Sequence, residues 1–506
     1  MQTEKKYDVD VLVCGGGVAG AAAAIASARL GARTMLVEGR ESLGGMCTNG
    51  YITGIAGLVE GLSEEWIDRL VAKGAANKRP HLPLVEPEVG KLELEQMVLQ
   101  AGCRILYGVH VTDCVVEDER IAKVMAHSHG GPIEISAKVF VDCTGDADLA
   151  YAAGVPCEVG NAEFFGLNQG VTMGFRLSYV NVKKYWAAEE AFQKTQSLET
   201  RKQLVVAKEY EAIENGDLPY LIVPGLLVYP VPNTSLECGD VTLDATQTGY
   251  CRNDNAEDRT RQIVDQRRQV LELFHKFLSK YVPGFEDCVV TSVASMNGVR
   301  DSRRIVGEYV FTDADMAGGA KFDDCVVRNP EFFDAHHPTC AEFVAVRHVH
   351  VREPSGSAVC RPSRDDYNYK MHPYVVPGGY EARTNPRDWA ELPYRSLVAT
   401  KVVNLLAAGR NVSAEFHALG TIRVIAGSMS MGQAAGTAAA MCVKEKIDPR
   451  NLDGVRVRDA LIEQGVPLDK APGGHWEMLR NMPGRIDVAS ADFAVIVNDE
   501  GQSHLF

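Results

Sequence analysis

The sequence predicts an α/β protein in which a parallel sheet is interrupted by an inserted α+β unit. Three observations carry that prediction. Strand, glycine loop, helix and strand follow one another between Asp8 and Glu38. After about Gly160 the texture changes from short apolar runs to charged segments of helical period. Strand and small-residue helix patterns then return between Val402 and Val443.

The elements follow in order. Val9, Val11, Leu12 and Val13 form a short apolar strand, Gly15 to Gly20 a turn, Ala21 to Leu30 an alanine-rich helix ended by Gly31, and Thr34 to Val37 a second strand. Lys91 to Gly102 reads as an amphipathic helix. Short β runs follow at 104–107, 109–116, 121–127, 133–136 and 138–142, and the unbroken Val139-Phe140-Val141 suits a buried parallel strand. Residues 183–215 are charged and helical in pattern, and 256–281 carry apolar positions at Ile263, Val264, Val270, Leu271, Phe274 and Leu278 with helical spacing. Residues 353–389, rich in Pro, Gly, Arg and Tyr, suit an ordered loop or lid over a site. Val402 to Leu406 reads as a strand and Met429 to Val443 as a helix. The expected division is a discontinuous nucleotide-binding domain (1–160 and 391–450), a substrate or cap domain (161–390) and a C-terminal extension (451–506).

The chain has 506 residues, 46% hydrophobic and 24% charged, which excludes disordered, collagen-like and coiled-coil classes. A net charge of −15 disfavours nucleic acid as a partner. No window reaches the roughly 18 consecutive apolar residues of a membrane span. The N-terminus shows no secretory signal, and the 13 cysteines contain no CxxC pair, so a reducing, cytoplasmic location without membrane attachment is expected.

The chemistry begins with Gly15-Gly16-Gly17-Val18-Ala19-Gly20, a GxGxxG that follows a strand and opens a helix. Gly15, Gly17 and Gly20 permit a tight turn and close backbone approach, so a pyrophosphate can sit on the helix N-terminus at Val18 and Ala19. Glu38 closes the next strand, where its carboxylate can bind both ribose hydroxyls. Only one such fingerprint is present, so a separate nicotinamide domain is not expected. The N-terminal position of the fingerprint, Gly44-Gly45 soon after the acid, and Val141-Asp142-Cys143-Thr144-Gly145-Asp146 together resemble the two-dinucleotide-binding flavoprotein pattern, and that resemblance implies FAD rather than NAD. In a fourth element, a strand ends at Gly409-Arg410 and a helix then begins with residues as small as those of Gln433-Ala434-Ala435. Such a helix terminus would stabilise the negative charge of a reduced flavin near N1 and O2.

Together these segments resemble the FAD-dependent oxidoreductases of the glutathione-reductase superfamily, in the branch related to fumarate reductase and succinate dehydrogenase flavoproteins. The likeness extends through Pro283 to Phe311, Leu392 to Ser396 and Leu405 to Ala440. It implies a Rossmann-type FAD domain with an inserted cap domain, Glu38 on the adenosine ribose, and Gly44, Gly45, Met46, Cys47 and Thr48 near the flavin. It also implies that Thr144, Gly145, Asp146, Gly409 and Arg410 line the cofactor. Arg40 and Val111 are further candidates for cofactor contact.

For catalysis, His417 is the expected acid/base, and Arg423 and Arg395 are the expected clamps for a carboxylate or carbonyl. Arg300, Arg303 and Arg304 read singly as structural. His336-His337 and His348-Val349-His350 lack a completing carboxylate, so no metal site is expected. Cys47 reads as a packing residue. The expected activity is hydride transfer between flavin N5 and a small polar organic substrate, a hydroxy or unsaturated acid or a sugar-like molecule, with an unidentified electron acceptor or donor. The alternatives are a flavoprotein electron-transfer subunit acting with a partner protein and, further off, a flavin-dependent RNA-modifying enzyme.

Overall fold

The computed structural model describes residues 5–78, 82–195, 203–218, 227–329, 334–336, 338 and 389–471, with the backbone of short strand fragments between 349 and 505. Most of the segment 353–389, together with His337 and His348, lies outside the described residues.

Five parallel strands form the central sheet: β2 (Val11–Cys14), β3 (Thr34–Glu38), β4 (Arg104–Tyr107), β8 (Val139–Asp142) and β17 (Leu405–Ala407). Their order is β17-β8-β2-β3-β4, with Val11 registered against Thr34 on one side and Val139 on the other. Val11, Leu12, Phe140, Leu405 and Leu406 are wholly buried, as expected of parallel strands covered on both faces. The 402–406 strand pattern is realised two residues late, because Lys401 adopts a φ of 62° and the Val402 amide turns back to Thr400.

Helix α1 (Val18–Arg29) covers one face and is crossed by α10 (Ile425–Glu445). A Cβ on Gly432 would stand 2.0 Å from the Ala19 carbonyl oxygen and one on Gly436 2.2 Å from that of Ala23, so the two helices meet backbone to backbone. A second sheet, β1-β7-β6-β5, joins β1 (Lys5–Asp8) and β7 (Gly131–Ser136) to β6 (Arg120–Ser128) and β5 (His110–Glu117). Phe311, Val326, Leu392, Val457 and Leu461 share the core around α1 and α10.

A separate core holds the antiparallel sheet β11-β12-β10-β13, formed by β10 (Phe175–Val180), β11 (Leu227–Pro230), β12 (Gly239–Asp244) and β13 (Val289–Val293). The charged stretch 183–215 forms two helices, α5 (Val182–Gln193) and α6 (Leu204–Glu214). Helix α7 (Ala256–Glu272) widens into a π-helical turn at Leu273–Leu278, which buries Leu273, Phe277 and Leu278 together. Among the described residues no helix is long and apolar enough to cross a membrane.

Candidate functional site

At the end of β2, Gly15 holds a φ of 97°, and a Cβ there would lie 2.4 Å from the Cys143 carbonyl oxygen. A Cβ on Gly20 would lie 1.8 Å from Gly15 O, which closes the turn to larger residues. Gly17 differs, because a Cβ there meets nothing within 4 Å. It is the N-cap of α1 and supplies no side-chain cap, so open space lies before uncapped amides and the positive end of a helix dipole. Gly44 N–H donates to Gly16 O at 2.9 Å, and Gly45 is close enough that a Cβ would come within 3.0 Å of Gly17 Cα. Glu38 accepts the Gly16 and Arg40 amides at 2.5 and 2.8 Å, and Arg40 Nη1 donates to Ser295 O at 3.2 Å. This cradle fits a dinucleotide, whose pyrophosphate the amides at the start of α1 would hold and whose adenosine ribose Glu38 would hold.

Two groups of expected cofactor residues are placed inside regular elements. Val111 pairs with Ala126 inside β5 and packs on the core, whereas Val109 reaches the Glu38 turn by donating to Glu38 O. His110 packs on Gly39, where an added Cβ would meet its ring at 2.4 Å. Gln433, Ala434 and Ala435 sit in the third turn of α10, well past its start. Gln433 accepts the Leu62 amide and donates to Gln464, while both alanines are wholly buried. The α10 terminus lies at Val424 to Gly427, where Ala426 N–H donates to Ala56 O and Gly57 packs against Val424. Cys47 is buried and its thiol is pushed up to about 12 by that burial, which leaves it protonated and unreactive; Met46 beside it is half-buried.

Beyond β8, Asp142 accepts the Thr144 amide and hydroxyl and the Ala150 amide, and burial lifts its carboxyl to about 6. Asp146 receives Arg410 Nη2 at 2.8 Å, Arg259 Nη2 at 2.5 Å and Ser302 Oγ at 2.6 Å. Burial alone would raise its carboxyl, but the two guanidiniums hold it well below the usual carboxylate range. Gly145, with a φ of 77°, lies against Arg410, and Gly409 against Ala19, so Arg410 stands at the first turn of α1. Arg259, from α7, is a member of this group that no local pattern announced.

The expected catalytic residues separate. His417 and Arg423 share α9 (Phe416–Ile422), with Arg423 as its C-cap. His417 is buried, and its Nδ1 lies 2.7 Å from Oδ2 of Asp313, the first residue of α8 (Asp313–Gly318). Arg423 donates from Nη2 to the Asp334 carbonyl at 2.9 Å and its carboxylate at 3.1 Å, while its buried Nε has no hydrogen-bond partner among the described residues. Asp334 also meets His336 Nε2 at 3.3 Å. Burial raises the Asp334 carboxyl, but Arg423, His336 and Arg300 outweigh it and bring it to about 2. Burial, with the neighbouring Arg300, lowers His336 to about 4, so its imidazole is neutral at pH 7.

Arg395 stands apart, with half its side chain exposed and both ends of its guanidinium on Asp324. Its guanidinium lies over the Tyr309 ring, 5.2 Å from the centroid. Arg303 ties Asp146 O to Asp148, and Arg304 ties Asp301 to the carbonyls of Gly160 and Ala414. Arg300 instead reaches Gly170 O and lies 3.8 Å from Asp244. Among the described residues no group of three or more His, Cys, Asp or Glu could hold a metal ion.

The chain is 30% identical over 147 residues to a thiamine thiazole synthase of Methanococcus vannielii, covering 27% of this chain and 56% of that protein. It is 30% identical over 155 residues to the thiamine thiazole synthase of Metallosphaera sedula, covering 28% and 57%. The chain therefore spans little more than half the length of these relatives. A geranylgeranyl bacteriochlorophyll reductase-like structure from Thermoplasma acidophilum is similar at a TM-score of 0.41 and 12% identity, covering 98% of this chain and 95% of that one. A flavin-dependent brominase is similar at a TM-score of 0.40 and 11% identity, covering 90% and 83%. The family model for FAD dependent oxidoreductases matches residues 10–461. A Rossmann-type α/β sheet, the glycine cradle before α1 and this match agree, and FAD is the cofactor that the cradle fits: the chain belongs to the FAD dependent oxidoreductase family and is an enzyme.

Proposed function

We propose that the protein transfers a hydride between a small polar organic substrate and the flavin of FAD, with the substrate held where Arg423, Asp334 and His336 meet. FAD, when bound, supplies the two-electron acceptor or donor at flavin N5. The observation that carries the reading is the place of Arg423, a largely buried guanidinium whose Nε lacks a partner among the described residues, directly before the first turn of α10, which has no side-chain cap. A planar donor fork there can orient an oxygen-bearing substrate.

In this reading His417 gives or takes the accompanying proton. The Asp313 carboxylate on Nδ1 keeps the hydrogen on that nitrogen, so Nε2 is the basic position. Gln169 joins the two histidine segments, donating to Phe416 O at 3.3 Å and accepting the His336 amide at 3.1 Å.

The test is anaerobic bleaching of the flavin absorption band by candidate substrates, followed by the same titration of Arg423→Gln. Bleaching that survives in the variant at unchanged substrate concentration removes Arg423 from the substrate site and the reading with it.

A further inference from the structure

The two ends of the site carry different charge balances. At the cofactor end, two guanidiniums, Arg259 and Arg410, converge on the single carboxylate of Asp146. The two guanidiniums share that one carboxylate, with the Ser302 hydroxyl as its third donor.

At the substrate end the charges cancel among the described residues. Arg423 faces Asp334 at 3.1 Å, and Arg300 faces Asp244 at 3.8 Å. Arg300 also donates to Gly170 O, and Asp244 receives the Thr172 hydroxyl. The four charged side chains and His336 retain between 10% and 29% of their surface, so none of the five is sealed from a small molecule placed among them. His336 adds a neutral imidazole. Tyr229, buried against Gly54, adds a phenol that burial keeps protonated.

We infer that these side chains together form a recess that binds a neutral, hydroxyl-bearing substrate, of polyol or sugar-like chemistry, in preference to a carboxylate; the inference rests on the substrate site proposed above. A hydroxyl donates and accepts at once, so it can donate to Asp244 or Asp334 while accepting from Arg300 or Arg423. A carboxylate only accepts. Placed here it would share its guanidinium partners with two resident carboxylates and carry an uncompensated negative charge into a part-buried recess. Removing one resident charge should reverse the preference.

The experiment is ligand-observed saturation-transfer NMR and calorimetry on the FAD-loaded protein, with glycerol, myo-inositol and glucose as neutral probes and glycolate, succinate and fumarate as anionic ones. Wild type should bind at least one neutral probe and bind the anions more weakly. Asp334→Asn should tighten the anions by about tenfold or more and weaken the neutral probe. Asp244→Asn serves as the second variant should Asp334→Asn lose its fold by circular dichroism. Wild type that prefers an anion, or takes none of the neutral probes, overturns the inference. Probe binding that Arg423→Gln leaves unchanged would instead show that the recess is not the substrate site, and both readings fall together.

Discussion

One carboxylate fixes both the ring of His417 and the start of its helix: Asp313 Oδ2 meets His417 Nδ1 at 2.7 Å, and Oδ1 accepts the Ala418 amide at 2.7 Å. Asp313 is held in turn, its own amide donating to Glu415 at 2.7 Å. If His417 moves the proton, His417→Ala abolishes turnover while FAD stays bound, and Asp313→Asn lowers kcat roughly a hundredfold with little change in KM. The check is steady-state kinetics beside the flavin content of each variant. Full turnover in His417→Ala reduces the pair to a structural clamp.

Two glycines in neighbouring helices should respond in opposite ways. Gly436→Ala drives a methyl against the Ala23 carbonyl of α1 and should lower stability by roughly 1–3 kcal/mol or more. Gly17→Ala places its methyl in open space at a φ of −61°, so stability should change by less than about 0.5 kcal/mol. It should nonetheless weaken FAD by at least about tenfold, because the methyl occupies the place of the pyrophosphate. Thermal midpoints of the apoprotein and FAD titration separate the two effects.

Acid stability should report His336. Its folded value, lowered from 6.5 to about 4, means that the unfolded chain binds the extra proton between those limits. Stability from this group is therefore complete above pH 6.5 and falls as the pH drops toward 4, by an amount on the order of 3 kcal/mol. Asp142 acts in the opposite sense between about 6 and 3.8, because its folded value is raised. The difference between the midpoint–pH curves of wild type and His336→Gln isolates the histidine, and parallel curves would refute the assignment.

Arg395→Ala should leave turnover unchanged. Its ion pair with Asp324 is half exposed, so the loss should be under about 1 kcal/mol by denaturant melt. A fall in kcat beyond a few-fold would return Arg395 to the active site.

The legible parts of the fold were those in which cause and effect lie close in sequence. The β2–α1–β3 unit could be read because strand, glycines and terminal acid sit within Val11–Glu38. The start of α10 could not, because its N-cap is Val424 and no Ser, Thr, Asp or Asn marks the place. The small residues from Gly432 to Gly436 satisfy two demands with one pattern, ligand approach and helix crossing, and the structure uses them for crossing. His417 and Arg423 could be picked out as candidates, but Asp313, Asp334, Arg300 and Arg259 join them only through tertiary contacts between distant segments. Arg395 has the same residue type as Arg423 and an adjacent carboxylate of its own, a difference invisible without the fold.

The backbone contact between α1 and α10 also sets an order of assembly on the ribosome. Helix α1 emerges first, yet its partner lies about 400 residues later, as does β17, the edge strand beside β8. At translation rates of roughly 5–20 residues per second, the first βαβ unit waits on the order of 20–80 s for its covering helix. The sheet of β10 to β13 and its helices are complete by Val293 and can condense during that wait. Gly409 and Arg410, which pack on Ala19 and Asp146, are then among the last parts of the cofactor end to arrive.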